Sequence, residues 1–340
     1  PLFFEAGVVP MMPIILNVGA RLEKDPQGLK GNPYLLAGLP VFAGISVLHA
    51  LVPPHPGPMV AIDAMKADMG QTLILGLLMS IPIAVVAGPL YTLWIARRAN
   101  AAPPVDLVGR LTHKDEQFRS PGIAATVLTI LFPILLMLGK AAADLLLPAG
   151  HPGRVLFEFV GNPIVALLLA VILSMFTFGF FIGKDTRKIG KLLGDALPPI
   201  AAIMLIIGAG GALKQMLIDV GLGAVIAHAS QLVSLSPLLL GWFTAVILRL
   251  ATGSATVAIV TASGLMAATV SANPGLNPSL LALSIGAGSL FFSHINDAGF
   301  WLVKEYMGMN LPNMFKTWSV LETIIAVMGL FLCMGLSLAI

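Results

Sequence analysis

Long apolar stretches run through this chain and are separated by short segments rich in polar residues, Gly and Pro. Four of the stretches approach the roughly 20 residues that a helix needs to cross a membrane: 72–95, 122–138, 162–182 and 317–340. Shorter or interrupted apolar stretches lie between them. The buried core of a soluble protein would not need so many apolar stretches. The pattern therefore predicts an all-α polytopic membrane protein that crosses the lipid bilayer several times.

Composition supports this class. Hydrophobic residues make up 57% of the 340 positions and charged residues only 10%, against about 25% charged residues in a soluble domain. The net charge of +3 comes from Lys and Arg gathered in a few loops, so it indicates membrane topology and not nucleic-acid binding. The single Cys333 excludes an intramolecular disulfide and a cluster of thiolate metal ligands. We expect no cofactor other than a coupling ion.

Basic residues in the loops orient the apolar stretches. Lys and Arg crowd the loops 97–119 and 184–191, which we therefore expect on the cytoplasmic side. The stretch 140–160 has few basic residues and is expected outside. On this count the span 72–95 runs inward, whereas 317–340 runs outward.

One polar interruption of the apolar sequence follows Arg249 and contains Thr252, Gly253, Ser254 and Thr256. It predicts a discontinuous helix, whose two half-helix ends would offer unpaired N–H and C=O groups to an anionic substrate group or a cation. The alternative is that the Ser and Thr hydroxyls bond back to carbonyls of their own helix. Arg249 could hold a carboxylate through two hydrogen bonds, or its charged end could reach the membrane interface.

A second interruption, Ser293-His294-Ile295-Asn296-Asp297, lies deep in apolar sequence. Unpaired polar groups at membrane depth are costly, so such a cluster is expected only where protein, water or a ligand satisfies it. Asp297 could exchange a proton or bind substrate hydroxyls, or it could be a structural partner for a helix end. His294 could relay protons or bond to a carbonyl. Asn296 could bind a polyhydroxy acid or cap a half-helix.

The front of the chain resembles this arrangement. Residues 1–8 interrupt apolar sequence as 251–256 do, and the segment VPPHPGP at 52–58 follows an apolar stretch as SHINDAG follows 280–292. The closing spans of the two halves have opposite orientations. We therefore expect inverted-topology repeats with a site at the repeat interface, as in secondary transporters.

Two ionisable residues of the first half are candidates for that site. Glu5 is the only acid in the first break and rivals Asp297 as the proton carrier. His55 lies among four prolines, where a rigid backbone and an imidazole could line the site. The prolines could instead only shape the turn.

A re-entrant hairpin is expected at 198–213, where Pro198-Pro199 would begin a half-helix and the glycines of GAGG permit a turn or close packing. The expected organisation is 1–98, the end of the first repeat; 99–121, a cytoplasmic loop; 122–189, two spanning helices with a short outer loop; and 190–340, the second repeat. The chain opens within apolar sequence and without an initiator Met. We expect a fragment that lacks an N-terminal part, including the counterpart of 190–248.

The chain resembles the gluconate:proton symporter family. The matching strings are PLFFEAG at 1–7, VPPHPGP at 52–58, GAGG at 208–211, GSATVAI at 253–259, SHINDAGFW at 293–301 and KTWSV at 316–320. The resemblance covers essentially the whole chain. It implies a symporter of the bacterial inner membrane for gluconate, related sugar acids or, in one branch, D-serine, and a homodimer by analogy with the wider ion-transporter superfamily.

We therefore expect proton-coupled import of a small hydroxylated monocarboxylate by alternating access. Half-helix N-termini and the polar groups of the breaks would hold the substrate, while Asp297 or Glu5 exchanges the proton. Sodium coupling stays open, because broken helices serve both ions, and so does a passive channel. The remote alternative is an intramembrane hydrolase built on Ser263 and His294, although HExxH is absent and no Gly precedes the serine in the rhomboid manner.

Overall fold

Every regular element that the structure describes is helical. The computed structural model describes residues 4–25, 28, 30–104, 121–148, 150–195, 197, 205, 208, 212, 215–216, 219–221 and 236–340. The helices are α1 (Phe4–Lys24), α2 (Pro33–Leu51), α3 (Pro56–Met65), α4 (Met69–Val85), α5 (Tyr91–Ile95), α6 (Ile123–Leu146), α7 (Pro152–Val160), α8 (Pro163–Thr177), α9 (Thr186–Asp195), α10 (Pro237–Thr252), α11 (Ala255–Ala272), α12 (Pro278–Gly288), α13 (Ala298–Met307), α14 (Leu311–Met314) and α15 (Val320–Leu336). π-helical turns at Val86–Leu90 and Phe315–Ser319 join α4 to α5 and α14 to α15, and a 3-10 turn at Phe180–Ile182 follows α8.

Six helical segments in this described part are long and apolar enough to cross a membrane. They are Pro33–Met65, Met69–Ile95, Ile123–Asp144, Pro163–Ile182, Ala255–Ala272 and Leu311–Leu336. The four spans expected from the sequence are among them, with ends shifted by a few residues. The prediction of an all-α polytopic protein is thereby confirmed.

Asn-Pro pairs set the start of three of the helices. The pairs are Asn32-Pro33 before α2, Asn162-Pro163 before α8 and Asn277-Pro278 before α12. In each, the Asn side chain accepts a hydrogen bond from a backbone N–H of the first turn, which would otherwise have no partner. The Pro that follows has no N–H to satisfy and a φ suited to a helix. These helix starts are therefore determined locally.

The chain divides into two compact units, which are described separately. The first comprises Pro1–His113 and Ile206–Ile340, and the second Lys114–Leu205. In the second unit α6 packs against α7 and α8, and Asp144 pairs with Lys140 at 2.9 Å and with Arg154 at 3.2 Å. The stretch 140–160, which is expected to face outward as a short loop, is largely helical, because α6 runs to Leu146 and α7 spans Pro152–Val160.

In the first unit, α12 packs against α2, α4, α10 and α15. All of its residues from Ser279 to Gly288 are buried. Gly286 of α12 and Gly76 of α4 lie against carbonyl oxygens at the end of α2, where a Cβ on either glycine would overlap the oxygen of Ala50 or Leu51. The glycines thus bring the end of α2 into the centre of this unit.

Two sequence expectations fall partly outside the described residues. The hairpin expected at 198–213 lies outside them apart from isolated positions. The interruption expected over 1–8 is not present from Phe4 onward, where α1 has begun. The one glycine of this stretch, Gly7, lies inside α1, and none of residues 1–8 is a Ser, Thr, Asn or Asp that would cap a new helix.

Candidate functional site

Two helix breaks of the first unit meet at Gly253 and Asn296. The first break separates α10 from α11, and the second separates α12 from α13. The Asn296 side-chain amide donates to the carbonyl of Leu250 at 2.9 Å, and a Cβ on Gly253 would overlap the Asn296 carbonyl. Gly253 has φ +73°, in the left-handed region that favours glycine. The breaks predicted at 251–256 and 293–297 are confirmed, and they are neighbours in space.

Arg249, in the last turn of α10, connects both breaks. Its Nη1 donates to the carbonyl of Gly253, and its Nη2 lies 2.5 Å from Oδ2 of Asp297. Arg249 is 4% exposed and Asp297 8%. The partners of this guanidinium are internal groups, so here it forms a buried ion pair that holds two segments of backbone together. Removing one member would leave the other charge buried and uncompensated.

Asp297 also caps the N-terminus of α13. Its Oδ1 accepts a hydrogen bond from the backbone N–H of Gly299 at 2.8 Å, which makes Asp297 the N-cap of that helix. Its Oδ2 accepts from the hydroxyl of Ser293 as well as from Arg249. Both carboxylate oxygens are therefore occupied by donors, and this acid holds the second break in its conformation.

Ser293 connects the second break to the π turn before α15. The indole Nε1 of Trp318 donates to the Ser293 hydroxyl at 2.7 Å, and the Ser319 hydroxyl donates to the Ser293 carbonyl. The Trp318 ring lies 4.7 Å from that of Phe4, so the start of α1 reaches the same place. The backbone of Glu5 is thus near this break, while its side chain lies outside the described part of the structure.

Replacing Trp318 by Phe is expected to lower the free energy of unfolding by about 1–3 kcal/mol, because the buried Ser293 hydroxyl loses a donor. Thermal unfolding of the purified protein measures this change. The matched control is Trp94→Phe, at a ring that is 53% exposed, where a change within about 0.5 kcal/mol is expected. Equal losses in the two variants would contradict the role given to Trp318.

The first half of the chain contributes His55. It lies buried in the break between α2 and α3, so the break predicted at 52–58 is confirmed. Its ring lies 4.0 Å from that of His49. The following helix, α3, packs against α11, where the side chain of Ile259 occupies the space beside Gly57.

The other predicted residues lie at the edges of the breaks. Thr252 is exposed, and its hydroxyl donates to a carbonyl of its own helix at 2.7 Å, as the structural alternative predicts. Ser254 is half-buried and caps α11 by accepting from the N–H of Val257 at 3.3 Å. Thr256 is buried, and His294 is half-buried. Thr252, Ser254 and His294 thus keep polar surface accessible next to the buried ion pair.

Glu322 is not among the residues that the sequence pattern singled out. It is the one charged residue of the apolar stretch 317–340, a signal that could have identified it. Glu322 is 1% exposed. Glu322 stands one turn after Ser319, whose hydroxyl binds the Ser293 carbonyl in the second break, and α15 packs against α10, the helix of Arg249. Glu322 therefore belongs to the same buried cluster, which it enters from α15.

Apolar membrane-length helices combined with helix breaks that meet around buried polar groups are typical of secondary transporters. The fold and the site together therefore define a membrane transporter. The sequence model for the GntP family permeases matches residues 1–339, and the chain belongs to this family. It is accordingly a multi-pass membrane permease and not an enzyme, as the sequence predicts.

Curated relatives match over the length of the chain. A gluconate permease of Pseudomonas aeruginosa is 44% identical over 340 residues, which cover 100% of this chain and 74% of the relative. A high-affinity gluconate transporter of Escherichia coli is 41% identical, over 100% of this chain and 75% of the relative. The Gnt-II system L-idonate transporter of Escherichia coli is 38% identical, over 97% and 72%. No solved structure matches the chain significantly.

Proposed function

We propose that this permease imports gluconate or a closely related sugar acid across the bacterial inner membrane together with protons. The observation that carries the substrate class is the likeness, over nearly the whole chain, to transporters named for gluconate and for L-idonate. Both compounds are small monocarboxylates with several hydroxyl groups. Proton coupling needs no cofactor, and the buried acids near the breaks are the groups able to exchange the proton.

The accessible edge of the two breaks suits such a substrate. α11 and α13 both begin there, so their first N–H groups carry partial positive charge toward the breaks, which favours a carboxylate. Thr252 and Asn296 are exposed, and Ser254 and His294 are half-buried. These side chains offer donors and acceptors for hydroxyl groups. The buried pair of Arg249 with Asp297 would keep this edge in place.

We infer further that the two halves of the first unit are inverted repeats. The helices α3 and α13 are each 10 residues long, and each ends at a left-handed residue, Lys66 with φ 52° and Gly308 with φ 57°. Two residues later an N-cap follows in both, Asp68 or Asn310. This agreement supports a repeat, and the loop charges support its opposite orientations. A re-entrant hairpin and a homodimer stay predictions.

The substrate and the coupling ion are tested by uptake into cells that express the protein and have no gluconate transporter of their own. Labelled gluconate, L-idonate and D-serine are supplied at low and at high external pH, with and without sodium. We expect gluconate and L-idonate to accumulate against their gradients, faster at low pH, and a protonophore to abolish the accumulation. Vector-only cells are the control.

Three other outcomes are informative. Accumulation that depends on sodium and not on pH would mean that sodium is the coupling ion. Accumulation of D-serine alone would mean that the substrate is D-serine and not a sugar acid. Equilibration without accumulation would mean a passive channel and would refute symport.

A further inference from the structure

The carboxyl group of Glu322 lies in the interior of the first unit. The residue is 1% exposed and stands on α15, within the membrane-length segment Leu311–Leu336. Oε1 of its carboxyl group is buried and has no hydrogen-bond partner among the described residues. A carboxylate in this position would be incompletely satisfied, which costs several kcal/mol at membrane depth. Uptake of a proton removes that charge.

The charged and titratable groups around Glu322 are few. α15 packs against α2, α4, α10, α12 and the π turn at 86–90. Of these, α4, α12 and that turn carry no titratable residue. From α2 come Tyr34 and His49, and the His55 ring lies against His49. From α10 comes Arg249 with its partner Asp297. The segment of Glu322 itself carries Lys316, which is exposed, and Cys333, which is buried. Arg249 is therefore the cation that a charged Glu322 would meet.

Arg249 already binds two partners, and it has a further N–H donor at Nε. Two of its nitrogens bind Gly253 and Asp297, while its Nε has no hydrogen-bond partner among the described residues. A charged Glu322 would compete with Asp297 for the guanidinium. Since this ion pair connects the two breaks, the charge of Glu322 bears directly on whether they stay together.

We propose that Glu322 is the binding site of the coupling proton, an inference that rests on the proposed proton-coupled transport. The proton binds the carboxylate when the site is open to the outside, which forms the O–H bond and neutralises the residue. It leaves to water when the site is open to the cytoplasm, and the carboxylate that remains attracts Arg249. Asp297, with donors on both oxygens, is the fixed partner of Arg249 and does not carry the proton.

The test compares two modes of gluconate transport in cells that express the variant Glu322→Gln. Glutamine has the shape of the protonated, uncharged acid but cannot release a proton. We expect it to lose accumulation driven by a pH gradient and to keep counterflow, the exchange of labelled external for unlabelled internal gluconate. The matched control is Glu305→Gln, at a side chain that is 72% exposed, which should keep both modes. Rates are normalised to the amount of protein in the membrane.

A second variant, Glu322→Asp, retains a titratable group at a displaced position. It should keep coupled accumulation with a shifted dependence on pH, a result that a merely structural role would not produce. Accumulation at the wild-type level in Glu322→Gln would overturn the inference, and so would loss of counterflow together with accumulation. If Asp297→Asn loses coupling while Glu322→Gln keeps it, Asp297 is the residue that binds the coupling proton. If the unaltered protein moves no gluconate by either mode, the proposed function itself is wrong.

Discussion

Replacing Arg249 by Met is expected to abolish gluconate uptake and to lower the free energy of unfolding by about 3–5 kcal/mol, because Asp297 is then buried without its cation. The guanidinium also holds the Gly253 carbonyl, so the first break loses an anchor at the same time. The free energy of unfolding is compared by thermal unfolding of the purified protein, and uptake is measured in cells.

The matched control for this loss is the double variant Arg249→Met with Asp297→Asn. Replacing both members of a buried pair by neutral side chains is often close to neutral for stability, and Asn can still cap α13. We expect most of the stability to return while uptake stays absent. If Arg249→Met unfolds at the wild-type temperature, the ion pair does not have the structural role that its burial indicates.

Replacing Gly253 by Ala is expected to stop transport through backbone geometry alone. A non-glycine residue in the left-handed region costs about 1–2 kcal/mol, and the new Cβ would overlap the carbonyl of Asn296. The two breaks must then move apart, which also stretches the hydrogen bond from Asn296 to Leu250. Uptake of labelled gluconate per inserted protein should fall to the background of vector-only cells.

Gly275→Ala is the corresponding control. Gly275 lies in the turn between α11 and α12, and a Cβ there would meet no atom within 4 Å. Uptake should remain at the wild-type rate. Normal uptake in Gly253→Ala would mean that close contact of the two breaks is not needed for transport.

The helix breaks could be predicted because their causes are local. Gly253 adopts a conformation that other residues avoid, Ser254 and Asp297 cap the helices that follow, and His55 follows Pro53-Pro54, which cannot continue α2. Each of these signals depends on a few neighbouring residues. The same holds for the Asn-Pro helix starts. The expected break at the front of the chain was wrong from Phe4 onward, because Gly7 continues α1 and no capping side chain stands in residues 1–8.

The partners inside the site could not be predicted from the pattern. Arg249 and Asp297 are 48 residues apart, and Ser293 meets Trp318 across 25 residues. Periodicity identifies which residues are polar in an apolar region, but it contains no distances between segments. Arg249 was therefore open as a substrate ligand or an interface residue, and Glu322 was read as part of an ordinary span.

The amino-acid pattern alone is enough to predict an all-helical membrane protein with interrupted helices, and its motifs identify the permease family. These properties follow from hydrophobic length, loop charge and local backbone chemistry, all of which lie along the chain. The contacts between distant segments become visible only in the folded molecule: the breaks touch at Gly253 and Asn296, Arg249 forms an ion pair with Asp297, and the last helix places Glu322 nearby. Such pairings depend on the packing of distant helices, where burial makes each unpaired charge costly enough to select a partner.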